Sequence, residues 1–189
     1  MRIKAWSAEW GGQALFSHGS EHSRGVCILL KVGAACALNL TYADPNGRYI
    51  IAKLSAGDEE IFVVNGYVPN HYIEQANFIR NLRANLLSKT VTTKLVISGD
   101  WNCTLTPKDK QSGLPWRGTD YRNSITDLMN EICLVDIYRK LHPNLKDFTY
   151  ESKSLKLKSR IEYFLILSKI AVDTKRAEIR TSVAPFFVS

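Results

Sequence analysis

Short apolar segments separated by turn residues dominate this chain of 189 residues, and they predict a mixed α/β fold with many strands and few helices. The strongest turn signal is Asp44-Pro45-Asn46-Gly47, because proline presets one dihedral angle and Asn-Gly tolerates a positive φ. No linker, repeat or low-complexity tract interrupts the pattern, so we expect one domain over residues 1–189. The predicted strands are 13–17, 25–31, 35–42, 48–54, 60–67, 94–98, 159–168 and 176–180.

Two further stretches have the apolar spacing of helices. The first, 72–87, follows Pro69 and Asn70, and Asn70 is the expected N-cap. Its predicted buried face consists of Ile73, Ala76, Ile79, Leu82, Leu86 and Leu87. The second, 121–132, has a predicted stripe of Ile125, Leu128, Met129 and Ile132.

The charge of the chain favours a polyanionic partner. There are 25 Lys and Arg against 18 Asp and Glu, a net charge of +7, so nucleic acid is the first partner to consider. Charge alone favours the alternative, a protein with an ordinary basic surface. The cysteines lack CxxC spacing, which predicts no zinc site.

The most apolar stretch, 25–40, contains Lys31 and falls short of the ~20 residues of a membrane span. With no signal peptide at the N-terminus, we expect a soluble nuclear or cytoplasmic protein without a membrane partner, and the sequence indicates no particular oligomeric state.

The segment from Leu95 to Asn102 carries the clearest chemistry. An apolar strand ends in Gly99, which permits a tight backbone path, and is followed by Asp100 and Asn102 at the rim of the predicted sheet. A carboxylate there takes a proton from water, while a neutral amide holds that water or a phosphate oxygen without adding negative charge. The alternative is an ordinary strand-to-turn exit, because Gly, Asp and Asn are turn residues.

Three other segments contain candidate residues, each with a plain structural alternative. Tyr67 ends a strand and has a hydroxyl suited to a phosphate, or it is a buried tyrosine beside a turn. Arg160 and Glu162 lie on an otherwise apolar segment. They would form either a structural ion pair or part of a phosphate site. Arg24 lies among small residues, which would suit either a loop near a phosphate backbone or a solvated surface loop.

Taken in order along the chain, these segments resemble the endonuclease/exonuclease/phosphatase superfamily. They look most like the apurinic/apyrimidinic-like endonuclease domain of LINE-type (non-LTR) retrotransposons. Five segments carry the resemblance: Glu9-Trp10-Gly11-Gly12 with Phe16-Ser17-His18-Gly19 and Ser23-Arg24-Gly25-Val26, Asn65-Gly66-Tyr67-Val68-Pro69-Asn70, Gly99-Asp100-Trp101-Asn102, Leu134-Val135-Asp136-Ile137-Tyr138-Arg139 with Leu141-His142-Pro143 and Phe148-Thr149-Tyr150, and Ser159-Arg160-Ile161-Glu162. Each motif is weak alone, but their shared order is specific.

The resemblance implies a four-layer, DNase-I-like sandwich in which two mixed β-sheets pack together between helices. It also implies Mg²⁺-dependent hydrolysis of a DNA strand. In that scheme Asp100 activates the attacking water, Asn102 positions the water and the phosphate, and Tyr67 contacts the phosphate. The residues implied to bind DNA or to support the site are Asn65, Asn70, Thr149, Ser159, Arg160, Glu162 and Arg24.

The chain departs from the family pattern in three places. The family's first-strand Asn and metal-binding Glu would precede Met1, and the Asp-His of its closing Ser-Asp-His would follow Ser189. Glu162 stands where the family has Asp, and the extra methylene exceeds the ~0.5 Å tolerance of a preorganised site. We therefore expect a domain that lacks the first strands and the last strand, has no metal-ligating Glu, and shows little or no nuclease activity by itself.

Two other functions compete with this hypothesis. A non-catalytic remnant that binds nucleic acid through its basic charge would show salt-dependent DNA binding without cleavage. A phosphatase of the same fold would act on small phosphate esters instead of DNA, although the Trp10-Gly11-Gly12 and His142-Pro143 segments look like those of retrotransposons.

Overall fold

The computed structural model describes residues 9–19, 25–89, 94–112 and 119–180, which belong to two compact units, Met1–Gly99 and Asp100–Ser189. The mixed α/β class predicted from the sequence is confirmed. The strands are β1 Gln13–His18, β2 Gly25–Leu30, β3 Ala37–Ala43, β4 Tyr49–Ala56, β5 Glu59–Tyr67, β6 Leu95–Asp100, β7 Lys110–Gln111, β8 Leu134–Asp136, β9 Tyr150–Ser152, β10 Leu157–Ser159 and β11 Glu162–Leu167. The helices are α1 Tyr72–Lys89, α2 Asp120–Glu131 and α3 Ile137–Leu141, and a 3₁₀ turn covers Pro107–Asp109. Arg24 lies outside the described residues.

The first unit is built around a sheet in the order β3-β4-β5-β6. β3, β4 and β5 are antiparallel neighbours, and the hairpin β1–β2 packs against them as a second layer. The first half of β4 is the centre of the core, since Tyr49, Ile50, Ile51 and Ala52 are all buried. Gly66 and Gly99 let β5 and β6 approach closely, because a Cβ on Gly99 would lie 1.9 Å from the Gly66 carbonyl oxygen.

Helix α1 forms where the sequence predicts it, but its buried face differs from the prediction. Phe78, Ile79, Leu82 and Leu86 are buried, and Phe78 packs edge-on against Tyr49 with ring centroids 5.6 Å apart. Ile73, Ala76 and Leu87 were predicted to lie on this face and are instead exposed. At 3.6 residues per turn all three project more than roughly 100° from the centre of the buried face, so the helix cannot bury them together with Phe78.

The start of α1 also differs from the prediction. The first hydrogen bond of the helix runs from the Gln75 N–H to the His71 carbonyl, over 3.0 Å. His71 therefore takes the N-cap position, and Asn70 lies one residue before it and is exposed.

The second unit contains the antiparallel pair β8–β11 and a small sheet in the order β7-β10-β9. α2 begins at a Thr119 cap, whose side chain accepts a hydrogen bond from the Arg122 N–H, and it buries Tyr121, Ile125 and Leu128. α3 follows β8 directly, with Asp136 as its N-cap.

Two strand predictions fail in this unit. The single strand expected over 159–168 is divided, because β10 ends at Ser159 and β11 begins at Glu162. The strand expected over 176–180 is wrong, since these residues have no regular secondary structure. In this segment Glu178 pairs with Arg176 and Arg180, whose side chains are largely exposed. The alternation of charged and apolar residues over 176–180 therefore reflects local ion pairs in solvent and not a strand. Across the described residues, no helix combines the length and the apolar character that crossing a membrane requires.

Candidate active site

The corner after β6 is fixed by a buried tryptophan. The Trp101 N–H donates to the Ile161 carbonyl over 2.8 Å, and the indole stacks on Tyr163 with ring centroids 6.0 Å apart. Asn102 has a φ of +49°, a left-handed conformation that asparagine tolerates better than most residues, and its N–H donates to Asp100 Oδ1 over 2.9 Å. The backbone therefore holds Asp100 and Asn102 on either side of an anchored residue.

Asp100 and Glu162 are two carboxyl groups whose pKa values are both raised. Burial raises the pKa of Asp100 above its usual value, and the Asn102 N–H offsets part of that effect. Partial desolvation raises the pKa of Glu162, and the charge of Asp100 raises it further, while the Thr149 hydroxyl acts in the opposite direction. A nearby negative charge of this kind favours protonation of Glu162 or a bound cation that neutralises it.

Thr149 supports the start of β11. Its N–H donates to the Ser159 carbonyl over 3.0 Å, and its hydroxyl oxygen accepts from the N–H groups of Ile161 and Glu162 over 3.1 and 3.3 Å. Ser159 itself is buried. The structure thus brings Thr149, Ser159 and Glu162 together, with Thr149 and Ser159 in positions that hold the strand bearing Glu162.

Arg160 is the most buried of the candidate residues, with an exposure of 0%. Its Nε donates to Asp109 over 2.8 Å, and its Nη2 pairs with Asp136. Arg139 Nη2 also contacts Asp109, over 2.5 Å. Arg160 thus forms a structural ion pair in the interior of the second unit, but its partners are Asp109 and Asp136 and not the neighbouring Glu162 that the sequence suggested.

Asp109 and Arg139 also belong to this cluster, and neither was predicted as a site residue from the sequence. Burial opposes ionisation of Asp109, but the hydrogen bonds from Arg160 and Arg139 outweigh it and hold the pKa of Asp109 below its usual value. A signal was present in Thr106-Pro107-Lys108-Asp109, which has capping-box spacing. The Thr106 N–H and hydroxyl donate to Asp109 Oδ2 over 3.0 and 2.8 Å, as that spacing predicts.

The remaining candidate residues lie in the first unit. Tyr67 is the last residue of β5, and its half-buried ring lies beneath the guanidinium of Arg48, 5.6 Å from the ring centroid. Asn65 Nδ2 donates to the Cys27 carbonyl over 2.9 Å, so this amide joins β5 to β2. Asn70 is exposed two residues before α1.

Comparisons with known proteins identify the fold. No protein-family model matches the chain. A search of the solved structures matches an AP endonuclease from Archaeoglobus fulgidus, with a TM-score of 0.68 and 26% identity over 89% of this chain and 72% of that one. The endonuclease domain of TRAS1, a telomere-specific non-LTR retrotransposon, matches with a TM-score of 0.64 and 12% identity over 91% of this chain and 79% of that one. The chain therefore has the DNase-I-like fold of these structures, and the similarity supports the resemblance to the endonuclease/exonuclease/phosphatase type.

A curated relative agrees with this assignment. The chain is 28% identical over 185 residues to the transposon TX1 uncharacterized 149 kDa protein of Xenopus laevis. The match covers 96% of this chain and spans 14% of the length of that relative. The resemblance and the fold class inferred from the sequence are therefore confirmed.

The similarity to endonucleases of this type raises the question of a Mg²⁺ site. Asp100 and Glu162 supply two carboxylates, and oxygen ligands suit Mg²⁺. Within the described parts of the chain, however, no three His, Cys, Asp or Glu side chains are grouped so that they could hold a metal ion. Asp100 and Glu162 would therefore supply only part of the ligands that a Mg²⁺ site requires, and we assign neither of them as a metal ligand.

Proposed function

We propose that this chain is a metal-dependent phosphodiester hydrolase that nicks DNA, in the manner of a retrotransposon endonuclease. The observation that carries the proposal is the Asp100–Asn102 corner, where a carboxylate of raised pKa lies two residues from an amide. The support from known proteins is the similarity to a transposon protein and to structures of an AP endonuclease and a retrotransposon endonuclease domain. The net charge of +7 suits a DNA partner.

Asp100 is the proposed proton acceptor. A carboxylate is a stronger base when its pKa is raised, so desolvation of Asp100 favours removal of a proton from the attacking water. Asn102 would hold that water or a phosphate oxygen, and the Tyr67 hydroxyl would donate to a phosphate oxygen. Thr149, Ser159 and Arg160 would act as support for the strand that bears Glu162, and Asn65 and Asn70 would support the segment around Tyr67. When bound, Mg²⁺ stabilises negative charge developing on the phosphate, and no step here depends on its placement.

We further propose that the 189 residues cleave DNA slowly. The described residues supply a base and an orienting amide but no group of three metal ligands. Such an incomplete set retains only a small part of the catalysis, because these groups act as a unit. A single-turnover assay tests this. A labelled duplex oligonucleotide is incubated with excess protein and Mg²⁺, and strand cleavage is followed over hours.

We expect slow cleavage that Asp100→Asn reduces by a factor on the order of 100 or more, the usual contribution of a general base. Asp127→Asn removes an exposed carboxylate on α2 and should leave the rate unchanged. Rapid nicking that depends on Asp100 would contradict the proposed slowness. Cleavage that is insensitive to Asp100→Asn would contradict the assignment of the base.

The two alternative functions give different results in the same assay. Salt-dependent DNA binding without any cleavage would favour a non-catalytic remnant, for which the only observation is the basic charge. Release of phosphate from small esters, with DNA left intact, would favour a phosphatase.

A further inference from the structure

Arg48 and Tyr67 lie against each other in the first unit. The guanidinium carbon of Arg48 is 5.6 Å from the centroid of the Tyr67 ring, within the range of a cation–π contact. The Tyr67 N–H also donates to the Arg48 carbonyl over 2.8 Å. Both the backbone and the side chain of Arg48 therefore fix residue 67.

Arg48 is in turn held by two carboxylates. Its N–H donates to Asp44 Oδ2 over 3.0 Å, and its Nη2 pairs with Glu74 Oε2 over 2.7 Å. The Arg48 side chain is only 11% exposed, whereas that of Glu74 is 44% exposed. Because the planar guanidinium of Arg48 is nearly buried and already paired, its orientation is defined. The Tyr67 ring beneath it therefore has few orientations open to it.

We propose that Arg48 is a positioning residue that orients the Tyr67 hydroxyl towards a DNA phosphate. This inference rests on the proposed function, in which Tyr67 contacts the phosphate. Arg48 acts through the Tyr67 ring and makes no direct ion pair with DNA, because its charge is matched by Glu74 and its side chain has little access to solvent. Glu74, in the first turn of α1, determines where the guanidinium lies.

A double-mutant cycle on DNA affinity tests the coupling. The dissociation constant of a labelled duplex is measured by fluorescence anisotropy with EDTA present, for the unaltered chain, Arg48→Lys, Tyr67→Phe and the double variant. Lysine keeps the charge but lacks the planar group that stacks on the ring. We expect each single variant to bind about three- to tenfold more weakly, the range of a partly desolvated cation–π contact, and the double variant to bind no more weakly than Tyr67→Phe.

The salt dependence distinguishes positioning from a direct contact. Loss of one Lys or Arg contact to a phosphate lowers the slope of log affinity against log salt by about 1. For Arg48→Met we expect weaker binding with an unchanged slope, because the neutral Tyr67 hydroxyl releases no counterion. Thermal unfolding of each variant shows whether it is folded, and a purely structural role would lower the unfolding temperature without changing the affinity of the folded protein.

Glu74→Gln provides a second variant. Glu60 is the matched control, since it also pairs with a basic residue over 2.7 Å in the same unit and is 53% exposed. We expect Glu74→Gln to bind DNA more weakly than Glu60→Gln. If Arg48→Lys has its full effect in the Tyr67→Phe background, Arg48 does not act through Tyr67 and the proposal fails. If Tyr67→Phe has no effect, the phosphate contact itself is overturned, although cleavage that depends on Asp100 would leave the proposed function standing.

Discussion

Arg160 and Asp109 form a hydrogen-bonded ion pair over 2.8 Å, and neither side chain is exposed to solvent. Asp136 binds the other end of the same guanidinium, and Arg139 binds the same carboxylate of Asp109. The Arg160 N–H also donates to the Asp109 carbonyl over 2.8 Å. The pair thus joins the 3₁₀ turn to the residues that immediately precede β11.

Removing one partner of this pair should destabilise the second unit strongly. Asp109→Ala leaves the buried Arg160 with less compensation, and breaking a buried pair in this way costs about 3–5 kcal/mol. Urea denaturation followed by circular dichroism measures the loss. Glu178→Gln is the matched control, because Glu178 pairs with two arginines at the surface, and we expect no measurable change there. Equal effects of the two substitutions would show that burial of the pair does not matter.

The same pair predicts sensitivity to acid. The folded-state pKa of Asp109 lies below its usual value, so its stabilising contribution is complete above the ordinary aspartate pKa near 4. That contribution is lost as the pH falls through the lower folded-state value. Unfolding free energies measured from pH 7 to pH 2 should therefore fall more steeply for the unaltered chain than for Asp109→Asn. Parallel curves would contradict this assignment.

Asp100 should behave in the opposite way. Its pKa is raised by burial, so ionisation is unfavourable in the folded state, and the group favours folding only when protonated. Asp100→Asn keeps the acceptor for the Asn102 N–H and removes the charge. At pH 7 we therefore expect this variant to unfold at a higher temperature than the unaltered chain.

The difference between Asp100→Asn and the unaltered chain should vanish below the ordinary aspartate pKa, where both are neutral. Differential scanning calorimetry at several pH values checks this, with Asp127→Asn as an exposed control that should not shift. If Asp100→Asn gains stability and loses cleavage, the Asp100 carboxylate serves catalysis and lowers the stability of the fold.

Asn102 has a backbone role and a chemical role, and two substitutions separate them. Glycine accepts the φ of +49° and alanine does not, so Asn102→Ala should lose about 1 kcal/mol of stability relative to Asn102→Gly. Both lack the amide, so both should lose cleavage equally. Lys156, with a φ of +47°, is the matched control, since Lys156→Gly and Lys156→Ala should differ in stability but not in cleavage. Cleavage that survives in Asn102→Gly would show that the amide is not needed.

The elements that local patterns govern were predictable from the sequence. The hairpin of β4 and β5 and the helices α1 and α2 lie within a few residues of their predicted bounds, because turn residues and apolar spacing act over short distances. The prediction failed where tertiary packing decides. Phe78 is buried in place of Ile73 because Tyr49, far away in sequence, supplies the surface against which it packs.

The candidate site shows the same division. Asp100, Asn102 and Glu162 could be predicted as site residues from short motifs. The effect of the Asp100 charge on Glu162 could not, because it depends on a fold that brings together residues about sixty positions apart. The partnership of Arg160 with Asp109 and Asp136 was not predictable, because a buried arginine on an apolar segment does not indicate which carboxylate it meets. The capping spacing from Thr106 to Asp109 was the one local signal of that cluster.

The buried cluster has a consequence for the order in which the second unit folds. Arg160 lies 51 positions from Asp109 and 24 from Asp136, so these charges remain hydrated until distant parts of the chain have met. Removing their water before all partners are present is unfavourable, and contacts over such separations form slowly. We therefore expect these charges to meet in a late kinetic step of folding. In a chain with β10 and β11 in the wrong register, Arg160 would not reach its carboxylates, and its buried charge would be left unpaired.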